Sequence, residues 1–457
     1  MDARFRLTED QAMWLAKQYH TPLYVVDEST FRKKIATYRD EFAGQYSKTK
    51  LSYASKANST LAVLQLAYAE GLTIDVASEG ELRAALLAGV PAQDCHFHGN
   101  NKQLDELEFA LAQGIGMIVI DHFEEIEMIR SLRFTIHNST TEYVIRLAPG
   151  VDPKTHKSIS TGQADTKFGF NIADGSAEKA LLQAQKAGLQ VVGFHCHVGS
   201  QLLDPEAQVN GGLFLAEFAA EMKGKHGFET QYLNVGGGLG AKYLESDEPM
   251  PAADYCRLIV EALLPALEKA GLSPVIAQEP GRSLIAEAGV TLYTVGVVKS
   301  VPKSETESRI YVAVDGGLSD NPRPVMYQAK YEVERVARSN RLWEYTTDGP
   351  GAVMSFPSMT TKAMTISGKH CETDLLFEDI ALPSDLEKGD LLQVLTTGAY
   401  NASMSSNYNR YPRPATVLIR SNGLPVLVVA RDEWQDMFSR ESVLENIVGP
   451  LNIVDTD

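Results

Sequence analysis

The sequence predicts an α/β protein: a (β/α)8 barrel joined to a second, all-β domain. Three observations carry this. Eight short β-branched or apolar runs alternate with amphipathic stretches between Leu51 and Gly281. Every run ends in polar residues. Beyond Ala288 the helical spacing stops, and strand-like runs separated by turns take over. An open doubly wound sheet would show the same alternation. The barrel is preferred because the alternation runs to eight units, the number that closes a (β/α)8 ring.

The elements follow in order. The strand P-L-Y-V-V-D near Val25 precedes the barrel, and residues 1–28 are expected to pack with the β domain. The barrel is expected over 29–287, with strands centred near Tyr53, Val76, Phe97, Val119, Val144, Phe194, Leu233 and Ile276. Amphipathic stretches between them stop at Gly71, Gly89, Gly114, Gly188 and Gly271, the residue type that most readily ends a helix. In the β domain, 288–457, the runs T-L-Y-T-V-G-V-V, I-Y-V-A-V, A-M-T-I, D-L-L-Q-V-L and A-T-V-L-I-R are read as strands. Ser421-Asn422-Gly423 is read as a hairpin connection, and Tyr345 to Thr361, rich in Gly, Pro, Ser and Thr, as a long loop.

Polar groups close all eight barrel strands: Lys56; Asp75 and Ser78; His98 and Asn100; Asp121; Arg146; His197 and Ser200; the backbone of Gly236-Gly237-Gly238; Glu279 and Arg282. On a barrel these converge on one active-site face.

Composition narrows the function. The 457 residues are 44% hydrophobic and 22% charged, which is ordinary for a globular chain. A net charge of −17 argues against nucleic acid or an anionic membrane as the main partner. No apolar run is long enough to span a bilayer, and the N-terminus lacks an apolar signal core, so a cytoplasmic protein is expected. Cys95, Cys196, Cys256 and Cys371 are dispersed, which argues against a disulfide framework or structural zinc.

Four segments carry chemistry. In S-Y-A-S-K-A-N, Lys56 is either a solvent-facing strand-end lysine or a Schiff-base nucleophile activated by its pocket. Gly236-Gly237-Gly238 is either a tight loop or a row of backbone N–H groups for a phosphate. His195-x-His197 offers a metal pair, one planar ring to stack on a cofactor, or plain packing. Glu279 either pairs with Arg282 or faces a pyridinium nitrogen. At ~4 Å and an effective dielectric of ~20 the latter is worth roughly 4 kcal/mol, or about three pKa units on that nitrogen.

Taken together, S-Y-A-S-K-A-N, D-V-A-S-E-G-E-L, F-H-G-N-N-K, S-T-G-Q-A-D-T-K-F-G-F, H-C-H-V-G-S-Q, N-V-G-G-G-L-G and Q-E-P-G-R-S-L resemble the fold-type III pyridoxal-phosphate-dependent decarboxylases. So do D-G-G-L-S-D-N-P-R-P-V-M-Y, H-C-E-T-D and T-G-A-Y-N-A-S-M-S-S-N-Y-N. The resemblance runs from about Pro22 to Leu418 and is strongest to members that convert meso-2,6-diaminopimelate to L-lysine and carbon dioxide. It implies pyridoxal 5′-phosphate as cofactor, with Lys56 as its Schiff-base partner and His197 stacked on the ring. Asp75, Ser200, Gly236, Gly237, Gly238, Gly281, Arg282 and Tyr400 would also contact the cofactor, several of them at its phosphate. Glu279 would pair with the pyridine nitrogen, where the family's alanine racemases carry an arginine. The resemblance further implies a head-to-tail homodimer in which Cys371 and Glu372 enter the partner's site. Cys371 would return a proton to the product carbanion, and Glu372 would hold the substrate's distal amine. Arg282, Arg323 and Tyr327 would hold its distal carboxylate, with Tyr400 nearby. H-C-E-T-D is one residue shorter than the usual C-E-S-G-D, Ala148 replaces a frequent asparagine, and Glu79 a common glycine. The alternatives are a sister decarboxylase for D-lysine, D-ornithine or carrier-bound glutamate, a metal-dependent barrel hydrolase using His195 and His197, and a non-catalytic homologue.

Overall fold

A computed structural model describes residues 4–133, 136, 140–150, 166–339 and 360–444. The long loop expected at 345–361 falls almost wholly outside the described residues, as does the first half of S-T-G-Q-A-D-T-K-F-G-F. The fold is the expected closed parallel barrel beside a sheet-rich second unit. Strand β1 (Leu23–Asp27) comes before the barrel. The barrel strands are β2 (Thr49–Ala54), β3 (Thr73–Val76), β4 (Cys95–Phe97), β5 (Met117–Ile120), β6 (Glu142–Ala148), β8 (Val191–His195), β9 (Tyr232–Asn234) and β10 (Val275–Gln278). The short β7 (Phe170–Asn171) extends the edge of β6. The hydrogen-bonded order is β5-β4-β3-β2-β10-β9-β8-β6, and pairing of β5 with β6 closes the ring. Each of the eight strands expected from the sequence is present.

Intervening helices shield the outside of the ring. The five glycines expected to stop them all take positive φ, between 64° and 85°, where L side chains are strained. Helix α2 (Glu28–Gln45) precedes the first barrel strand yet packs against both α3 (Leu61–Ala69) and α4 (Ala252–Lys269). It therefore fills the gap in the helix ring left where the chain departs after β10 into the second sheet.

The second sheet has the order β15-β14-β12-β11-β1-β17-β18, with β16 paired to β11 and β13. Its members are β11 (Gly289–Pro302), β12 (Ser308–Val314), β13 (Val333–Ala337), β14 (Thr361–Ser367), β15 (Leu375–Pro383), β16 (Leu391–Leu395), β17 (Ala415–Ile419) and β18 (Pro425–Val429). Strand β1 lies inside this sheet, antiparallel to β11 and parallel to β17. Helix α1 (Glu9–Tyr19), opened by a Thr8–Gln11 capping box, lays Ala12, Met13 and Leu15 on the same apolar cluster as Leu23, Val290 and Val417. Strands β13 and β15 have no counterpart in the sequence reading. Their partly exposed, charged faces blur the apolar pattern. The turn at Ser421–Gly423 does join an antiparallel pair, β17 and β18. Among the described residues no helix is long and apolar enough to cross a membrane.

Candidate active site

Side chains two apart on a strand share a face, so each strand can switch from apolar to polar as it rises through the barrel. Met117, Val144, Val192, Tyr232 and Ala277 form a buried apolar cluster low in the ring. Two residues further on, Val144 gives way to Arg146, Tyr232 to Asn234 and Ala277 to Glu279, all buried. These join Asp75, His98 and His195 in a polar layer beneath the C-terminal mouth.

Above that layer opens a cavity of ≈980 Å³ lined by Lys56, His98, Arg146, His197, Ser200, Tyr243, Arg282, Arg323, Tyr327 and Tyr400, among others. A recess of ≈50 Å³ continues from it past Asp75, Gly237, Gly238, Glu279 and Gly281. Thus Lys56, Asp75, His197, Ser200, Gly237, Gly238, Glu279, Gly281, Arg282, Arg323, Tyr327 and Tyr400 meet at one place. Cys371 and Glu372 do not. They sit exposed on the second unit, where Cys371 N donates to Asn409 Oδ1 at 3.1 Å and Glu372 accepts from the Tyr408 hydroxyl. The other three thiols are buried, and burial pushes each up to about 12.

Lys56 lies in the short helical turn Ser55–Ala57 that follows β2. Its side chain is exposed to the cavity and makes no hydrogen bond or ion pair among the described residues. The turn is held from the second unit. Tyr400 N donates to Ala57 O at 2.8 Å, Ser403 Oγ to Lys56 O at 3.2 Å and Asn58 Nδ2 to Gly398 O at 3.1 Å.

Glu279 anchors the floor. It accepts from Asn234 Nδ2 at 2.5 Å and lies 3.2 Å from His195 Nε2 and 3.0 Å from His98 Nε2. Burial opposes its ionisation, but the two imidazoles outweigh that and hold its carboxyl well below the usual range. Burial by itself would discharge His98. Asp75, 2.7 Å away, and Glu279 instead carry it up to about 9. Burial drives His195 down to about 4. Close as they are, His98 Nε2 and Asp75 Oδ1 do not complete an aligned hydrogen bond.

His197 is a neutral ring. Burial, then Lys56 and Arg146, push it well below its ordinary pKa, and its Nδ1 accepts from Gly237 N at 3.3 Å. His195 and His197 therefore face different partners and form no metal pair. His98, His195 and Glu279 do bring ligand atoms within 4.8 Å of one another. In this structure His98 Nε2 pairs with Asp75 and Glu279 at 2.7 and 3.0 Å and His195 Nε2 with Glu279 at 3.2 Å, and these contacts hold the trio together.

The glycine run serves packing as well as chemistry. A Cβ on Gly237 would overlap the Glu279 carbonyl oxygen, and one on Gly236 would lie 2.5 Å from Cys196 O. The N–H groups of Gly236 and Gly237 are already given to Asn234 Oδ1 and His197 Nδ1. Among the described residues only Gly238 of the three keeps its N–H without a protein acceptor. Gly237→Ala is expected to displace the end of β10. It should cost about 2 kcal/mol of stability and weaken cofactor retention, read by denaturant midpoint and by cofactor titration.

These groups fit pyridoxal 5′-phosphate. The recess offers the ionised Glu279 carboxylate, the Asp75 side chain, the neutral His197 ring, the Lys56 amine and the Gly238 N–H.

Several residues were missed or underused by the sequence reading. His98 and Arg146 were seen as strand ends but given no role. Asn234, His195, Tyr243 and Tyr331 join the site only through strand register or through contact with the second unit.

The comparisons agree with this geometry. Residues 28–286 match the family described as pyridoxal-dependent decarboxylase, pyridoxal binding domain. The chain is 44% identical over 430 residues to diaminopimelate decarboxylase of Bacillus subtilis, covering 93% of this chain and 92% of that protein. It is 39% identical to that of Staphylococcus aureus, with 89% and 90% covered. The crystal structure of diaminopimelate decarboxylase from M. jannaschii superposes with a TM-score of 0.85 at 31% identity over 98% of both chains, and it is also known in complex with L-lysine. The chain belongs to the pyridoxal-dependent decarboxylases, within the group of diaminopimelate decarboxylases.

Proposed function

We propose that the protein decarboxylates meso-2,6-diaminopimelate to L-lysine and carbon dioxide. One observation carries the choice of substrate. Arg282 and Arg323 are each only 6% exposed, yet no carboxylate lies within 4 Å of either guanidinium among the described residues. Two buried cations without counter-charge, in the same cavity as Lys56, call for an anion. The cofactor phosphate can answer Arg282, whose Nε donates to Ser200 Oγ at 3.1 Å, but a substrate with one carboxylate loses it in the reaction and leaves Arg323 without an anion. Diaminopimelate keeps its second carboxylate throughout.

When bound, pyridoxal 5′-phosphate accepts the electron pair that departing carbon dioxide leaves on the substrate's α-carbon. Lys56 Nζ would hold the cofactor covalently. His197 presents its neutral ring as a stacking surface, and Glu279 Oε keeps a proton at the ring nitrogen. Asp75 and His98 fix that carboxylate's position and charge. Ser200, Gly238, Gly281 and Tyr400 would hold the phosphate, with Gly236 and Gly237 setting the loop's course. Arg282, Arg323 and Tyr327 bind the distal carboxylate.

A homodimer completes the site. Cys371 and Glu372 lie exposed, away from their own cavity, beside Tyr408, whose hydroxyl bonds to Glu372. There they can enter a second copy's site, Cys371 Sγ giving a proton to the α-carbon and Glu372 holding the distal ammonium. A working thiol requires a reducing compartment, which supports a cytoplasmic location. Cys371→Ala is expected to lower kcat about 10²-fold, the usual share of a general acid, with cofactor absorbance unchanged. Loss of the cofactor in that variant would refute the role. The reading as a whole is tested by product formation from the cofactor-loaded protein given meso-diaminopimelate, D-lysine or ornithine. Lysine from diaminopimelate alone is expected, and preferred turnover of either other substrate would overturn it.

A further inference from the structure

Among the described residues no acid holds the arginine pair. Arg282 Nε donates to Ser200 Oγ at 3.1 Å, and what the two arginines share is a phenol. Arg282 Nη1 donates to the Tyr243 hydroxyl at 2.6 Å, and Arg323 Nη1 donates to the same oxygen at 3.0 Å. Arg323 Nη1 also donates to the Tyr331 hydroxyl. The Tyr243 and Tyr331 rings meet edge to face, with centroids 5.1 Å apart and planes at 88°.

Tyr243 is itself fixed from three directions. Its N–H donates to Asp247 Oδ2 at 3.0 Å, within the loop that follows β9. Its carbonyl accepts from Glu332 N and from Arg4 Nη1, both at 3.3 Å, tying it to the second sheet and to the N-terminal segment. The neighbouring Lys242 N donates to Glu287 Oε1 at 3.0 Å, and Lys242 O accepts from Thr396 Oγ1 at 2.8 Å. A buried side chain so constrained can hold two long cationic side chains at a set separation.

The geometry points to Tyr243 as a positioning residue for substrate selection, whose hydroxyl oxygen spaces Arg282 and Arg323 to receive the substrate's distal carboxylate. This rests on the substrate reading given above. The chemistry favours a phenol here. A carboxylate would neutralise the arginines and repel the incoming anion. A neutral hydroxyl satisfies one N–H from each guanidinium and leaves both positive charges for the ligand. The two guanidiniums outweigh burial and draw the Tyr243 phenol below its ordinary pKa, as close cations should.

The test compares the wild-type and Tyr243→Phe holoenzymes, the latter keeping the ring and its packing. L-Lysine and 1,5-diaminopentane serve as matched competitive inhibitors, since both carry two amines and only lysine keeps the distal carboxylate. Tyr243→Phe removes the acceptor of both arginines, so KM for meso-diaminopimelate and Ki for L-lysine should each rise about tenfold, the scale of one charged hydrogen bond to the distal carboxylate lost as the guanidiniums shift. The diaminopentane Ki, kcat and cofactor absorbance should stay near wild type, since binding common to ground and transition states appears in KM. Unchanged KM and lysine Ki, or an equal loss for both inhibitors, would overturn the role of Tyr243. If the wild type itself fails to prefer lysine over diaminopentane, the substrate reading fails instead. Arg323→Leu separates the two further, because it should abolish that preference whether or not Tyr243 sets the spacing.

Discussion

Replacing Lys56 with alanine is expected to lower turnover by three orders of magnitude or more, ~4 kcal/mol on the barrier, and to abolish the visible absorbance of lysine-linked cofactor. The fold should be unaffected. Lys56 is exposed to the cavity and makes no hydrogen bond or ion pair among the described residues, so its truncation falls with surface substitutions, within ~0.5 kcal/mol of neutral. Its backbone is held independently by Tyr400 and Ser403 across the domain junction. Lost activity can therefore be assigned to the missing amine. Absorbance and steady-state turnover of the reconstituted protein are the measurements. Retention of more than about a hundredth of wild-type turnover, some 2.7 kcal/mol on the barrier, would refute the assignment.

Glu279→Gln should lower kcat by about 10²–10³, the equivalent of the two to three pKa units that a nearby carboxylate gives a ring nitrogen. KM should change little. The substitution keeps the shape and the contact with Asn234 while removing the charge. A second readout comes from His98. Its pKa of about 9 depends on Asp75 and Glu279 together, so losing one carboxylate should lower it, which NMR titration of the imidazole can follow. An unchanged kcat would remove Glu279 from the chemistry. A lowered kcat with an unmoved His98 would show that Asp75 alone sets the charge of that ring.

Periodicity carried far in this chain because parallel barrel strands are buried and short, so each reads as an apolar run closed by polar residues. All eight, from β2 to β10 with the edge piece β7 set aside, stand where the sequence places them. Lys56, Glu279 and the glycine run were legible because small residues around a lysine, a carboxylate at a strand end and three consecutive glycines are each unusual in a core strand. Strands β13 and β15 were not legible, since half-exposed faces bearing charges lack the alternation that marks a strand.

By itself the sequence determined the barrel, the sheet-rich second part, the unusual lysine that follows the first barrel strand and the set of polar strand ends. Tertiary structure alone decided which polar groups meet. It set His98 between Asp75 and Glu279, turned His195 and His197 to different partners, spent two of the three glycine N–H groups on protein acceptors, and brought Tyr243 between Arg282 and Arg323. The reason is physical. Strand and helix periods are local properties that sequence spacing encodes directly. The charge on a buried imidazole or the separation of two guanidiniums is set by atoms from distant segments, whose approach depends on barrel closure and on the second sheet packed against its mouth.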